Sequence, residues 1–434
     1  MFFPVLITGG RNSLCERGAK PITPNKMTVL TETNIFRSDE MAIDFFTFGN
    51  TPSENIAITF TPFGVDGAVS LHGVGYGGEL LLRNGFDVIA FKSSKNLWYQ
   101  NVSHEMITAV DKFIDAHQIS YAKRVGYGSS MGGYAAIQFS KSLGLDIVLA
   151  LSPQFEIDKS YDQRWQTAAS LIEFHHRIDA KTISTECKYF VAYDPGTIDV
   201  RHIEKLRELI DPKSLVEIPT PFSGHPVGHF LAETGLIQKF ALSILKYGSV
   251  EEVSRGRQRR HSKIYLFELS KQLALRKKNR SALVAIDNAI SIDDQGPEFY
   301  VHRSVILDAL NQPKLALLAA HEARRKLKQD PYMMGALSER LARHGDFDVA
   351  RTLIEKAINI DASVVHFHLH KCDVCKTLGD LPAAIYAGEC AIKLSPNDAK
   401  LMVRVAKLHA AHGGVAHWAR SAVLATSAIF SFFG

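Results

Sequence analysis

Small residues recur every 34 positions through the second half of the chain. Ala282, Ala316, Ala350 and Ala384 form one series, and Ala289, Ala323, Ala357, Ala391 and Ala425 form a second. Ser270, Ser304, Ser338, Cys372 and Ala406 form a third, and the turn formers Asn311, Gly345, Gly379 and Gly413 a fourth. A fixed period of this length means a stack of like units, each too small to bury its apolar face alone and each completed by its neighbours. Small side chains in register mark where neighbouring elements approach closely. Gly or Asn in register marks a turn that needs a left-handed backbone.

The pattern resembles the tetratricopeptide repeat family, which implies an all-α solenoid of helical hairpins over residues 264–434, with four repeats and a partial fifth. The Gly345-Asp346 and Gly379-Asp380 pairs mark turns between helices, while the terminal proline of the repeat survives only at Pro396. Trp418 and the apolar tail from Ile429 to Phe433 are placed either to cap the stack or to bury themselves in a partner protein. In the segment from His366 to Cys375, His366, His368, His370, Cys372 and Cys375 have the side chains of metal ligands. The repeat register nonetheless puts both sulfurs at core positions, so core packing is expected there and no metal.

The first half has a different rhythm. β-Branched and aromatic runs at Met41 to Phe48, Asn55 to Phe63, Phe86 to Phe91, Arg124 to Gly128, Asp146 to Leu151, Tyr189 to Tyr193 and Ser214 to Pro219 alternate with helical patterns. This is the α/β pattern of a doubly wound, mostly parallel sheet, opened by antiparallel strands where the connections are too short for a helix. The expected organisation is an α/β domain over residues 1–247, a basic linker over 248–263 and the repeats beyond it. Arg255, Arg257, Arg259, Arg260 and Lys263 read as a solvated hinge.

At 46% hydrophobic and 22% charged residues, the chain has ample material for packed cores. Lys and Arg number 23 against 26 Asp and Glu through residue 250, and 27 against 19 beyond it. That excess is too small for the dense basic face of a nucleic-acid binder, and no nucleic-acid partner is expected. No apolar run is long enough to span a bilayer. The start, from Met1 to Ile7, lacks a basic n-region and a small-residue cleavage site. Five unevenly placed cysteines, Cys15 among them, fit reduced thiols, so a cytoplasmic location is expected.

The strongest chemical signal is Gly128-Ser129-Ser130-Met131-Gly132, a G-x-S-x-G between a strand-like and a helical segment. A serine at such an elbow sits in a strained turn, and the residues two before and two after it must be glycine-sized so that strand and helix can pack. Ser130 has glycines at both positions. Ser129 would have Tyr127 and Met131, so Ser130 is the expected nucleophile.

Downstream, the run ending at Tyr193 delivers Asp194 and, five residues on, Asp199, which lies near a helix start. Either carboxylate could orient a histidine; Asp194 is favoured for its strand-end position, with Asp199 as the alternative acid. The strand ending at Pro219 leads to His225, the expected base, whereas His229 and His202 read as packing or surface residues. The oxyanion hole is expected from the Met131 N–H and from Gly64 or Val65 in the loop after the strand Asn55 to Phe63. Trp98, Tyr99 and Phe155, with a small helical lid between Gln154 and Cys187 carrying Trp165, Phe174, His175 and His176, are the candidates for the substrate mouth.

Together these residues resemble the α/β-hydrolase superfamily over roughly residues 25–247, which implies a Ser-His-Asp acyl-transfer site needing no cofactor. The stretch from Gly75 to Phe91 also looks like bacterial hydrolase-like proteins associated with surface polysaccharide production, which points to an acyl ester on a carbohydrate. The expected function is therefore a serine hydrolase or acyltransferase whose repeats dock a protein partner. The alternative is a catalytically silent hydrolase fold acting as a scaffold.

Overall fold

The computed structural model describes residues 30–433 except 50–51, 65–69, 118, 159–160, 166–168, 170–171 and 251–256. Cys15, Val65, Arg255 and the apolar start from Met1 to Ile7 lie outside the described residues, as do the side chains from Ile429 onward. The described chain divides into two compact units, with the division falling after Glu268, inside the helix Lys263–Leu275 that opens the helical half.

The first unit is built on one eight-stranded mixed sheet: β1 (Leu30–Arg37), β2 (Met41–Phe48), β3 (Asn55–Phe60), β4 (Phe86–Ser93), β5 (Lys123–Ser129), β6 (Ile147–Leu151), β7 (Lys188–Tyr193) and β8 (Leu215–Pro219). Their spatial order is β1-β2-β4-β3-β5-β6-β7-β8. β1 and β2 pair antiparallel, as does β2 with β4, and every pairing from β4 to β8 is parallel. β1 was not foreseen, because most of its residues are exposed and it carries no apolar alternation.

Helices cover both faces. Period-two alternation sends Ile89, Phe91, Val148 and Ala150 to one face, where Ile107, Val110 and Ile114 of α2 (His104–Ala116) pack with α3 (Met131–Gln138). Val88, Ala90, Val125, Tyr127 and Leu149 face the other side. There they meet Leu81 and Leu82 of α1 (Gly78–Leu82) and Phe240, Ile244 and Leu245 of a helix spanning Ile237–Tyr247. Burying each of the last three side chains contributes about 1.5–3 kcal/mol. The parallel strands β3, β5, β7 and β8 all end at one edge, where such sheets bring loop residues together.

The second unit is all-helical. Five helical pairs follow one another: Lys263–Leu275 with Asn279–Ile292, Pro297–Ala309 with Pro313–Lys326, Pro331–Arg343 with Phe347–Ile360, Val365–Thr377 with Leu381–Leu394, and Ala399–His412 with Val415–Phe433. The spacing predicted four and part of a fifth. Both alanine columns are fully buried in the inner pairs, from Ala282 to Ala384 and from Ala289 to Ala391. In the last helix Ala425 and Trp418, at the corresponding positions, are exposed. The turn column has positive φ throughout: Asn311 57°, Gly345 87°, Gly379 79° and Gly413 80°. Lys277, at the same position in the first pair, also has positive φ, 58°. Cys372 and Cys375 are buried, while His368 and His370 bond to the Ala362 carbonyl and Ser338 respectively and His366 meets Glu339. The basic segment forms a short 3-10 turn, Arg257–His261, which leads into the first of these helices.

Candidate active site

The site begins with steric necessity at the end of β5. Ser130 has φ 53° and ψ −117°, a conformation foreign to non-glycine residues, and it stands immediately before α3. A Cβ on Gly128 would lie 2.1 Å from the Gly132 carbonyl oxygen, and one on Gly132 would lie 2.4 Å from the carbonyl oxygen of Phe60 in β3. Both neighbours are backbone and cannot swing away. Ser130 is thus presented at the sheet edge by two glycines that nothing larger can replace.

His225 follows β8, and its Nε2 lies 3.0 Å from Ser130 Oγ. Its Nδ1 faces both oxygens of Asp199, at 2.8 and 3.0 Å. A carboxylate at Nδ1 fixes the proton there, so Nδ1–H donates to Asp199 and Nε2 is left to accept the Ser130 hydroxyl proton. The favoured acid is therefore corrected: Asp199, not Asp194, holds the imidazole. Asp194 accepts from the backbone N–H groups of Gly196 and Gly224, both at 2.8 Å, and so ties the loop that carries His225 to the loop that carries Asp199. Burial pushes the Asp194 carboxyl up to about 6, against those two N–H groups.

Asp199 begins the helix Asp199–Leu209 and is fully buried. Burial opposes its charge, yet His225 and Arg164 outweigh burial and hold the carboxyl well below the usual carboxylate range. Arg164 Nη2 reaches Asp199 Oδ1 at 2.8 Å and Asp162 Oδ2 at 2.8 Å. Asp162 in turn bonds His202 Nε2 at 3.0 Å. His202 Nδ1 accepts the Phe155 N–H, so its Nε2 carries the proton donated to Asp162. His202 is thus a buried buttress with a defined tautomer, and the line His202, Asp162, Arg164, Asp199 braces the carboxylate from behind. No motif or spacing announced Arg164 or Asp162.

Gln154, three residues beyond β6, was also missed as part of the site. It is fully buried; its Nε2 lies 2.7 Å from Ser130 Oγ and its Oε1 3.4 Å from Trp98 Nε1. Of the expected oxyanion donors, Met131 N–H heads α3, where the first N–H groups have no partner within the helix. Gly64 is corrected: its N–H is bonded to Asn96 Oδ1 at 2.9 Å, and Asn96 Nδ2 returns a bond to the Gly64 carbonyl at 2.8 Å.

Tyr99 is also corrected as a mouth residue. It is fully buried, and its hydroxyl bonds Thr61 and the Phe91 carbonyl. Trp98 is equally buried, packed with Phe63 and Trp165, and Trp165 lies edge-on to the His225 ring. Trp98 and Phe155 line a small cleft with Tyr134, Glu156, Ile157, Phe174 and Arg177. Of the expected helical lid, the structure describes a 3-10 turn, Gln163–Trp165, while residues 159–160, 166–168 and 170–171 lie outside the described residues. His176 within it is structural, bonded through Nε2 to the Val102 carbonyl.

No protein-family profile matches the chain, and no curated protein matches it. Among solved structures it is similar to YrrB, described as a TPR protein with an unusual peptide-binding site, at 14% identity and a TM-score of 0.35, covering 40% of this chain and 87% of that one. It is similar to MamA from Desulfovibrio magneticus RS-1 at 12% identity and 0.35, covering 39% and 95%, and to Pseudomonas aeruginosa pilF at 16% and 0.35, covering 41% and 78%. The helical pairs themselves, spaced by 34 residues, make the second unit tetratricopeptide-like. Among the described residues no helix is long and apolar enough to cross a membrane.

Proposed function

We propose that the first unit is a serine hydrolase of α/β-hydrolase type acting on carboxylic esters by hydrolysis or acyl transfer. One observation carries this reading: Ser130 Oγ, His225 and Asp199 stand in hydrogen-bonded line, at 3.0 and 2.8 Å, on loops at one edge of the sheet. In this reading Ser130 attacks the ester carbonyl and His225 takes its proton and returns it to the leaving alcohol. Asp199 holds the imidazolium, and water or a second alcohol then releases the acyl group. The resemblance to surface-polysaccharide-associated proteins makes acylated carbohydrates the first substrates to try. The repeats dock a protein or peptide partner, as stacks of this kind offer an extended concave surface.

The test is labelling of the purified full chain by a fluorescent fluorophosphonate. Wild type is expected to label, and Ser130→Ala and His225→Ala, shown to be folded by circular dichroism, are not. A folded wild type that does not label favours the second reading, a silent scaffold. What supports that alternative is the burial of Ser130, only 3% exposed.

A further inference from the structure

A serine hydrolase needs two donors for the oxyanion; in the loop after β3 the Gly64 N–H is occupied by Asn96, and Val65 lies outside the described residues. Gln154 offers a side-chain donor beside Ser130. Its orientation is dictated by Trp98: an indole N–H can only donate, so the amide oxygen must face Trp98 and the NH2 must face Ser130. That NH2 lies 2.7 Å from Ser130 Oγ and 3.3 Å from His225 Nε2, in the corner between nucleophile and base. Backbone strain gathers around this arrangement. Ser152, two residues before Gln154, has φ 47°, and Trp98, which holds its amide oxygen, also has φ 47°. Strained residues of this kind persist where the surroundings over-determine them, as at sites that must hold a group in one geometry.

We infer that Gln154 is a catalytic residue that supplies the second oxyanion donor beside the Met131 N–H; the inference rests on the serine-hydrolase reading above. When Ser130 Oγ bonds to the ester carbon, its proton passes to His225 Nε2 and the carbonyl π pair moves onto the carbonyl oxygen. That oxygen is then two bonds from Oγ. The Gln154 N–H that rested on Oγ turns to it, because Oγ has given up its negative character to the new C–O bond. Collapse returns the pair to the carbonyl, breaks the bond to the leaving alkoxide, and His225 protonates that alkoxide.

The experiment measures p-nitrophenyl acetate turnover and inhibition by a trifluoromethyl ketone, which forms an oxyanion adduct on an active serine. It compares wild-type full chain with Gln154→Met, Gln154→Glu and Trp98→Phe. Gln154→Met is expected to lower kcat by about 10²–10³-fold with KM little changed, and to weaken the trifluoromethyl ketone in parallel. Gln154→Glu keeps the shape but only accepts, so it is expected to lose at least as much and decides the matter if Gln154→Met does not fold. Trp98→Phe, which frees the amide to flip, is expected to fall between them and wild type. An unchanged kcat in a folded Gln154 variant, or a loss carried wholly by KM, overturns the inference and leaves the hydrolase reading standing. A folded wild type that neither turns over the ester nor labels with fluorophosphonate overturns both.

Discussion

The imidazole of His225 gives its Nδ1 to Asp199, at 2.8 Å from Oδ2, while Asp194 spends both oxygens on backbone N–H groups. Two carboxylates five residues apart therefore have separate tasks, one electrostatic and one architectural. In Asp199→Asn the amide oxygen can still accept from Nδ1–H only at the expense of the braced geometry, and the imidazolium loses its counter-charge. On the proposed hydrolase reading, kcat should fall by about 10⁴-fold, the size of this change in a serine-protease triad. Asp194→Asn loses one of two loop hydrogen bonds, worth about 1 kcal/mol, and is expected to stay within about tenfold of wild type. Equal losses in the two variants, measured on one ester, would assign the acid wrongly.

Arg164 makes the acid limb of the pH profile informative. His225 is surrounded by Asp199, Arg164 and Asp162, with His229 nearby, and burial together with the Arg164 cation lowers its pKa against the pull of the two carboxylates. In the proposed mechanism His225 acts as base only when neutral, so wild-type kcat/KM should hold to a pH below the ordinary imidazole value of about 6.5 before it falls. Arg164→Met removes the cation and leaves both carboxylates facing the ring, which raises the His225 pKa. The acid limb then moves to higher pH. Arg164→Lys keeps the charge and should leave the limb near its wild-type place while losing the fork that spans Asp162 and Asp199. A limb that does not move in Arg164→Met, traced from pH 4 to 8, sinks this account.

The parts of the site that were legible in the sequence are those governed by local sterics. Glycines two before and two after Ser130 are demanded by backbone 2.1 and 2.4 Å away, and no other serine has them. The choice between Asp194 and Asp199 was not legible, because it depends on how the chain turns between Tyr193 and the helix Asp199–Leu209. Gln154 and Arg164 left no signal, since a glutamine after a strand and an arginine in a short 3-10 turn have no spacing to betray them. Tyr99 misled for the opposite reason: an aromatic near a site is as well suited to the core, and its hydroxyl found partners there. The repeats were legible because one packing solution is written several times in register, whereas β1, paired on one side only and mostly exposed, repeats nothing.

The elbow can be tested without any substrate. Gly132→Ala would drive a methyl group against the Phe60 carbonyl, and neither β3 nor α3 can yield without losing ladder or helix hydrogen bonds. We expect a loss of about 3 kcal/mol, at the upper end for overpacking, read as a lower urea midpoint. In Ser129→Ala, by contrast, a buried hydroxyl is removed without added volume, and fluorophosphonate labelling should persist. If Gly132→Ala is as stable as wild type, the close approach of strand and helix does not exist.

One column of the repeats predicts two opposite outcomes for the same substitution. Ala357 is fully buried in the third helical pair, whereas Ala425, two periods on, is exposed in the last helix. A leucine at 357 must be forced into a close helix contact, at a cost of about 1–3 kcal/mol. A leucine at 425 meets solvent and should change stability by no more than about 0.5 kcal/mol. Urea unfolding of the full chain, followed by circular dichroism at a helix-sensitive wavelength, separates the two. Ala357→Leu should lower the midpoint of the helical transition and Ala425→Leu should leave it in place. If Ala425→Leu is as damaging as Ala357→Leu, the last helix is covered in solution by something that repeats the inner packing, and its exposed face is an interface.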